Sequence, residues 1–301
     1  MPRLLSCDDS ETYEIADCVD DLGDRGLDLQ DEEGIAKGTR ALRRLANNRT
    51  FLGDMLVSQL RDRHRQIGET TAYGPQAIVL SKMRGGCFLR ANIWPSGRDA
   101  CFQASGSKAF VYGVPHDHNF SFLTAGYLGP GYASDYYEYD YAETAGFIGE
   151  KPGLKFVERS ALEEGKMMLY RAHRDIHSQL LPESMSVSLN VMHIHPAQGW
   201  FDQYGFELET GEITAVLNPT STECFLRCAI GLGGDEALDL AEHFGRTHPS
   251  DRLRLASYEA RALLLDDAEQ VDALWGEAEG SGSAMLSGEA KARRYALEPA
   301  E

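Results

Sequence analysis

The sequence predicts a mainly β core flanked by helices at both ends, and two observations carry this prediction. Between about residues 72 and 226 the chain consists of short β-type runs separated by Gly and Pro, without helix-length spacers, which favours an antiparallel sandwich or barrel. On either side of it, apolar residues recur at the helical spacings of three and four. The predicted parts are an acidic helical segment at 1–70, a β barrel at 71–226 and a helical extension at 227–301.

Helical periodicity is clearest near the two ends of the chain. The first 34 positions hold twelve acidic residues, a pattern usual for a solvated face, and we assign them no function. From about Ile35 to His64 the apolar pattern predicts two helices, divided by a break at Asn47-Asn48. After Asp235 two further apolar stripes predict more helices. Whether these form a dimer face, a lid or plain packing against the core stays open, so a homodimer is one alternative.

The central region contains ten short segments with β-type composition, bounded by turn residues. The predicted strands are Ala77–Ser81, Cys87–Trp94, Ala100–Ala104, Ala109–Val114, His116–Leu123, Tyr136–Tyr141, Lys155–Arg159, Lys166–Tyr170, Ser184–His195 and Glu212–Leu217.

Composition and charge exclude several classes of function. The 301 residues are 43% hydrophobic and carry a net charge of −18, which disfavours nucleic acid and anionic membrane surfaces as partners. No apolar run approaches the roughly 18 residues of a membrane span, and the N-terminus lacks the apolar core of a signal peptide. The six cysteines are scattered and form no CxxC pair. We therefore expect a cytoplasmic, reduced protein.

The segment Pro115–Phe120 holds the most informative histidines. On a strand, residues two apart point to the same face, so His116 and His118 would project side by side into one cavity. Paired neutral imidazoles suit Fe, Zn, Cu and Ni. The alternative is two half-buried polar residues that are hydrogen-bonded to their neighbours. The pair on its own therefore favours neither interpretation.

A third metal ligand has to come from another part of the core. His177 follows a predicted strand and a polar turn, and it begins the next strand. His173 is the competing candidate, but its place within Arg171–Asp175 indicates an exposed turn. His193 and His195 form a second HxH pair, which is better interpreted as outer-face or rim histidines near a proline.

Together these motifs resemble the cupins, and more narrowly the cysteine dioxygenase-like group of thiol dioxygenases. The resemblance covers roughly residues 78–192 and rests on a proline-led HDH, an Asp-Ile-His some sixty residues later and an alternating Ser-rich strand. It implies a double-stranded β-helix (jelly-roll) barrel in which His116, His118 and His177 hold Fe(2+) without a carboxylate. The usual cupin glutamate, four or five residues after HxH, is replaced by Phe122 and Leu123.

The resemblance also implies substrate-binding residues. Arg90 is similar to the strand arginine with which the family grips a substrate carboxylate. Independently, its apolar flanks mean that the guanidinium needs an anionic partner, and a structural ion pair is the alternative. The family's Ser-x-His-x-Tyr strand reads Ser188, Asn190 and Met192 here, so Asn190 can donate a hydrogen bond but the phenol is missing. These departures argue against cysteine itself as the substrate.

A tyrosine-rich stretch follows the histidine pair. We expect the loop Gly126–Tyr137 to close over the site, with Tyr127 contacting substrate. Glu138 is a candidate catalytic residue, since it could be a fourth ligand, a general base or an anchor for a cationic group. The alternative for the whole stretch is a surface-edge strand with an aromatic ladder.

These residues predict a non-haem iron oxygenase that acts on a small amino acid-like or carboxylate-bearing substrate. Three imidazoles leave room at the ion for substrate and dioxygen, and the 2-oxoglutarate pattern HxD/E…H is missing because the second position is His118. The expected partners are thus a small molecule and O2. One alternative is a Zn- or Ni-dependent isomerase or hydrolase on the same barrel. Another is a non-catalytic cupin that binds a small ligand.

Overall fold

The computed structural model describes residues 2–24, 26–62 and 76–297. The chain divides into two compact units: Met1–Tyr139 with Leu154–Gln198, called unit 1, and Asp140–Gly153 with Gly199–Glu301, called unit 2. The predicted division between residues 70 and 71 lies outside the described residues. The helix Ser221–Leu232 runs across the predicted division between 226 and 227, and the three-part organisation stays a prediction.

Unit 1 contains nine described strands and four described α-helices. The strands are β1 Arg3–Leu5, β2 Ala77–Val79, β3 Cys87–Trp94, β4 Phe122–Leu128, β5 Ala133–Glu138, β6 Lys155–Ala161, β7 Met167–Tyr170, β8 Asp175–Gln179 and β9 Ser186–His193. The helices are α1 Ile15–Gly23, α2 Glu32–Asn47, α3 Phe51–Asp62 and α4 Ala100–Ser105, with a 3-10 helix at Ser107–Phe110.

These strands form two antiparallel sheets. Six of them pair in the order β1-β7-β4-β9-β3-β2, and the other three pair in the order β6-β5-β8. In the larger sheet β3 and β9 are in register, so that Arg90 lies opposite Asn190 and Asn92 lies opposite Ser188. Residues directly opposite each other share a face, so these four side chains lie on the same side of the sheet.

The six-stranded sheet has two buried faces of different composition. On one, which we call the helix face, apolar side chains of β3, β4 and β9 share a core with residues of α1, α2 and α3. On the other, the cavity face, polar and aromatic side chains alternate with them along the same strands. The helix face is formed by Leu89, Ala91, Leu123, Ala125, Leu189 and Val191, and the cavity face by Phe88, Arg90, Asn92, Trp94, Phe122, Thr124, Ser188, Asn190 and Met192.

Helix α2 packs on the helix face. Two local features of its sequence explain this: a capping residue that starts the helix and a glycine that allows close contact with the sheet. The Asp31 side chain accepts a hydrogen bond from the Gly34 N–H and so caps the first turn. Leu42 and Leu45 point into the core and are fully buried. At Gly38 a Cβ atom would lie 2.5 Å from the Leu123 Cδ1 atom, so the absence of a side chain brings the helix against β4.

Unit 2 is mostly helical. It contains a two-stranded sheet and five helices within the described chain: β10 Tyr204–Glu207, β11 Glu212–Val216, α5 Ser221–Leu232, α6 Asp235–Thr247, α7 Asp251–Ala262, α8 Ala268–Glu279 and α9 Ala284–Leu297. Tyr258, Trp275 and Leu286 form the centre of one of its apolar cores. Among all described residues, none of the helices has the length and apolar character needed to cross a membrane.

The structure confirms β sheets but not a mainly β chain. More of the described residues lie in helices than in strands, and no described sheet closes into the predicted barrel. Two predicted strands are wrong: Ala100–Ala104 lies in α4, and Ala109–Val114 begins in the 3-10 helix and continues as a turn in which Tyr112 forms an isolated bridge to Gln179. A short apolar run contains too few residues for the hydrophobic period to separate a strand from a short helix. The sequence therefore could not distinguish the two, which explains both errors.

Candidate metal centre

Three histidines of unit 1 bring their ring nitrogens together in one cavity. The Nε2 atom of His177 lies 3.1 Å from Nε2 of His118 and 3.2 Å from Nε2 of His116. The possible ligand atoms of all three residues lie within 4.8 Å of one another. Metal–nitrogen bonds of about 2.0–2.1 Å at right angles would place two nitrogens about 3 Å apart. The spacing of the three rings therefore fits a single transition-metal ion.

The backbone holds two of these rings together and places the third differently from the prediction. His116 and His177 form an isolated antiparallel bridge, in which each N–H donates to the other residue's carbonyl at 3.1 and 3.0 Å. His118 lies in an irregular segment, because β4 begins only at Phe122. The predicted strand His116–Leu123 is therefore wrong over most of its length. The His118 carbonyl instead accepts a hydrogen bond from the His173 N–H.

One hydrogen bond fixes the protonation of the His116 ring. Its Nδ1 lies 2.7 Å from the Val114 carbonyl oxygen, which can only accept. Nδ1 therefore carries the proton and Nε2 presents its lone pair to the other two histidines. This is how proteins usually orient a metal-binding imidazole.

Burial keeps all three imidazoles neutral. It lowers the pKa of His116, although the Val114 hydrogen bond works in the opposite direction. It lowers the pKa of His118 and of His177 well below the usual value, and neighbouring rings add to the effect. Neutral imidazole is the form that binds metal ions, so the site has its ligands ready at neutral pH.

The histidines line a cavity of about 220 Å³ between the two sheets of unit 1. Arg90 supplies a positive charge at its wall, and no carboxylate occurs among the described residues that line it. Such a cavity suits a small molecule with an anionic group. Its other polar lining residues, apart from the histidines and Trp94, are Gln76, Asn92, Tyr132, Gln179 and Asn190.

Two of the four predicted substrate-binding residues line this cavity, and two do not. Arg90 and Asn190 line it, with the Asn190 side chain donating to the Arg90 carbonyl at 3.4 Å. Ser188 does not line it, but accepts a hydrogen bond from the Trp94 indole at 3.0 Å. Tyr127 belongs to the core of the helix face and donates its hydroxyl to the Asn48 carbonyl at 2.8 Å. The structure therefore does not bring Tyr127 to the three histidines.

Glu138 is engaged in ion pairs away from the cavity lining. Its carboxylate lies 2.8 Å from the Arg171 guanidinium and 3.1 Å from that of Arg174. Burial raises the pKa of Glu138, but hydrogen bonds from positively charged groups, these two among them, outweigh it and lower the pKa to about 2. The carboxylate is thus ionised and paired at neutral pH. The surroundings of Glu138 are therefore those of a structural ion pair and not those of a general base.

The stretch Gly126–Tyr137, predicted as a closing loop, is built mostly of strands. It contains the end of β4, a short turn and most of β5. Of its tyrosines, Tyr132 lines the cavity, where its ring lies 3.9 Å from that of Trp94 between centroids. Tyr136, also buried, shares a hydrogen bond of 2.9 Å with the hydroxyl of Tyr170. The Tyr170 ring in turn meets the His177 ring edge-on at 4.9 Å.

Sequence reasoning missed several residues of the cavity wall. Gln179 lies two positions after His177 on β8, and Asn92 lies two positions after Arg90 on β3. Strand alternation was a usable signal for both, because residues two apart share a face. Val111 also lines the cavity, at a φ of 60° that is rare for a β-branched residue. No sequence pattern pointed to it.

Comparisons with known proteins add little to this description. No protein-family model matches the chain, and no curated protein matches it significantly. Solved structures include salicylate 1,2-dioxygenase from Pseudaminobacter salicylatoxidans, at 13% identity and a TM-score of 0.27, with 48% of this chain and 33% of that chain covered. A cupin protein from Bacteroides fragilis aligns at 13% identity and a TM-score of 0.24, over 44% of this chain and 86% of that chain.

The chain thus spans about a third of the length of the dioxygenase that it matches. At these identities and TM-scores, the similarity assigns neither a fold family nor an activity to this chain. The residues of the cavity are therefore the basis on which a function can be assigned.

Proposed function

We propose that the protein is a non-haem iron oxygenase in which His116, His118 and His177 hold Fe(II). The observation that carries this proposal is the convergence of three buried, neutral imidazole nitrogens beside a cavity with an arginine in its wall. Three nitrogen ligands without a carboxylate resemble the thiol dioxygenase arrangement predicted from the sequence. When bound, ferrous iron would activate dioxygen with electrons drawn from the substrate.

The chain's own residues would bind and orient the substrate. Arg90 on β3 offers a planar, permanently charged group that can hold a carboxylate through two parallel hydrogen bonds. Asn190 lies opposite it on β9 and offers an amide to a second polar group. Trp94 and Phe122 add aromatic surface to the same wall, against which an apolar part of a substrate can pack. We therefore propose a small amino acid-like or carboxylate-bearing substrate.

A second reaction class uses the same three ligands. Zinc–imidazole bonds have the length that the 3.1 and 3.2 Å nitrogen spacings require, so Zn or Ni could act here as a Lewis acid for isomerisation or hydrolysis. Three histidines without a carboxylate suit either metal, so the cavity lining does not distinguish the two reaction classes. Metal content and oxygen consumption separate the two.

The test is metal analysis of full-length protein purified without chelator, followed by oxygen-uptake assays with amino acids and small carboxylates. We expect iron at one ion per chain and substrate-dependent oxygen uptake. His177→Ala should lose both, whereas His243→Ala, which changes an exposed histidine of unit 2, should keep both. Stoichiometric zinc with oxygen-independent turnover would contradict the oxygenase. Ligand binding that survives His177→Ala without any metal would favour a non-catalytic binding protein.

A further inference from the structure

The side chain of Gln179 lies beside the three histidines and is not explained by the packing around it. It follows His177 by two positions on β8, so both side chains lie on the same face of the strand. Gln179 is 4% exposed, and its Nε2 lies 3.3 Å from Nε2 of His177. Its Oε1 is buried and has no hydrogen-bond partner among the described residues.

The contact between Gln179 and His177 is incompatible with a bound metal ion. The lone pair on His177 Nε2 is the one that would bind the metal, so it could no longer accept a hydrogen bond from the Gln179 amide. The two ends of a carboxamide have nearly the same shape, and their assignment follows from the surrounding hydrogen bonds. Turning the amide by 180° places the oxygen where the nitrogen now lies, 3.3 Å from His177 Nε2.

The distance of that position from His177 agrees with a ligand of the same ion. The separation of 3.3 Å is close to the 3.1 and 3.2 Å that separate the histidine nitrogens. Amide oxygen is a known metal ligand, although a weaker one than carboxylate. We propose that Gln179 supplies a fourth ligand to the metal through its carboxamide oxygen. This inference rests on the proposed metal centre and adds a residue from outside its histidine motifs.

A neutral oxygen ligand has two consequences for the site. Unlike a glutamate at the same place, it leaves the full charge of the ion available to an anionic substrate, in agreement with the lack of carboxylates among the described cavity residues. The turned amide also places its N–H groups where the buried Oε1 now lies, so they need an acceptor that the described residues do not provide. A molecule bound in the cavity that Gln179 lines is the candidate acceptor.

The test measures Co(II) binding to the full-length, metal-free protein in the absence of substrate and turnover. Gln179→Ala and the volume-preserving Gln179→Leu should weaken Co(II) binding about 10- to 100-fold, as is usual for loss of a group that supports a metal site. Both should also change the visible ligand-field bands of bound Co(II). Gln179→Glu should tighten binding at least about tenfold, since it adds a negative charge at the ion. Thermal melting of each metal-free variant shows that it is folded.

Gln76→Ala is the matched control, because Gln76 is also a buried glutamine that lines the cavity. It should leave the Co(II) affinity and the bands unchanged. If folded Gln179→Leu kept wild-type affinity and bands, Gln179 would not be a ligand, and its oxygen would serve a bound molecule instead. If His118→Ala kept wild-type affinity, the proposed metal centre itself would be wrong, so the two failures are distinguishable.

Discussion

The helix face and the cavity face of the six-stranded sheet are built from alternate residues of the same strands. Leu89, Leu123 and Leu189 on the helix face are at most 1% exposed and contact other apolar groups. Each is followed by a polar residue on the cavity face, Arg90, Thr124 and Asn190. One face therefore gains stability from close apolar packing, while the other buries polar groups that cost stability unless they are paired.

The difference indicates that the helix face mainly stabilises the fold, whereas the cavity face carries the groups available for binding and chemistry. Shortening a side chain on the helix face should lower the free energy of unfolding substantially. On the cavity face, the effect of a substitution should depend on the protonation of the histidines and on which buried hydrogen bonds are lost. Four changes, of decreasing expected effect, test this contrast between the faces.

The largest effect should come from acid, through the buried histidines. In the unfolded chain these rings take up protons as the pH falls through about 6.5, but burial lowers the pKa of His116, His118 and His177 in the folded protein. The unfolded state therefore binds more protons, and the free energy of unfolding of the metal-free protein should decrease as the pH falls. The limiting slope is about 1.4 kcal/mol per pH unit for each ring.

Denaturant titrations between about pH 7 and pH 4.5 measure this slope, above the range in which most carboxylates titrate. His118→Asn should make it shallower by up to about 1.4 kcal/mol per pH unit. A variant with the same slope as the wild type would show that the His118 ring is not held neutral by the fold.

The next largest effect should follow Leu123→Ala on the helix face. Leu123 is fully buried and packs beside Gly38 of α2, so truncation leaves a cavity that the helix cannot fill without moving. We expect a loss of about 2–5 kcal/mol in the free energy of unfolding, measured with denaturant. Co(II) affinity of the folded variant should stay as in the wild type. A loss of metal binding in folded protein would mean that the two faces are not independent.

A smaller loss should follow Ser188→Ala on the cavity face. Ser188 accepts the indole hydrogen bond of Trp94, and both residues are buried. Its removal leaves the indole N–H without this acceptor, at a cost of about 1–3 kcal/mol. Equilibrium unfolding measures the loss, and Trp94 fluorescence should change with it. Ser188→Thr, which keeps the hydroxyl, should restore most of the stability, and an equal loss in both variants would point to packing instead.

The smallest effect, of opposite sign, should follow Thr124→Val. The Thr124 hydroxyl is buried and has no hydrogen-bond partner within the described chain. Valine has nearly the same shape without the polar group, so we expect the free energy of unfolding to rise by about 1 kcal/mol. Thermal and denaturant unfolding both report this change. A destabilised variant would indicate that the hydroxyl is paired in solution.

The three histidines predicted as metal ligands do lie together, but part of the structural reason for selecting them was wrong. Spacing and context selected His116, His118 and His177, and their rings do converge. Strand alternation was the argument for the first two, yet His118 lies outside the strands. The convergence depends on how an irregular segment turns back towards β8, which is set by contacts distant in sequence.

Other predictions succeeded where local signals are strong. The break at Asn47-Asn48 is confirmed, since α2 ends at Asn47 and α3 begins at Phe51. A helix, α6, begins at Asp235 as predicted, although the sequence missed α5 directly before it. Helical periodicity over a dozen residues and a polar break are local properties, which explains their reliability.

The tyrosine-rich stretch shows where such signals fail. Tyr127 was predicted to contact substrate, but the structure places Tyr132 in the cavity wall instead. The pairing of β4 with β9 shifts register between Gly126 and Leu128. Such an irregularity changes which side chains face the cavity, and composition does not reveal it.

The reciprocal backbone hydrogen bonds between His116 and His177 have a consequence for how an ion reaches its ligands. Because the two backbones are hydrogen-bonded to each other, a displacement of β8 should move both residues together. The backbone of His118 lies outside this bridge and outside the strands, although its carbonyl accepts the His173 N–H and its ring contacts that of Phe122. We therefore expect His118 to be the last ligand to bind an arriving ion and the first to release a departing one.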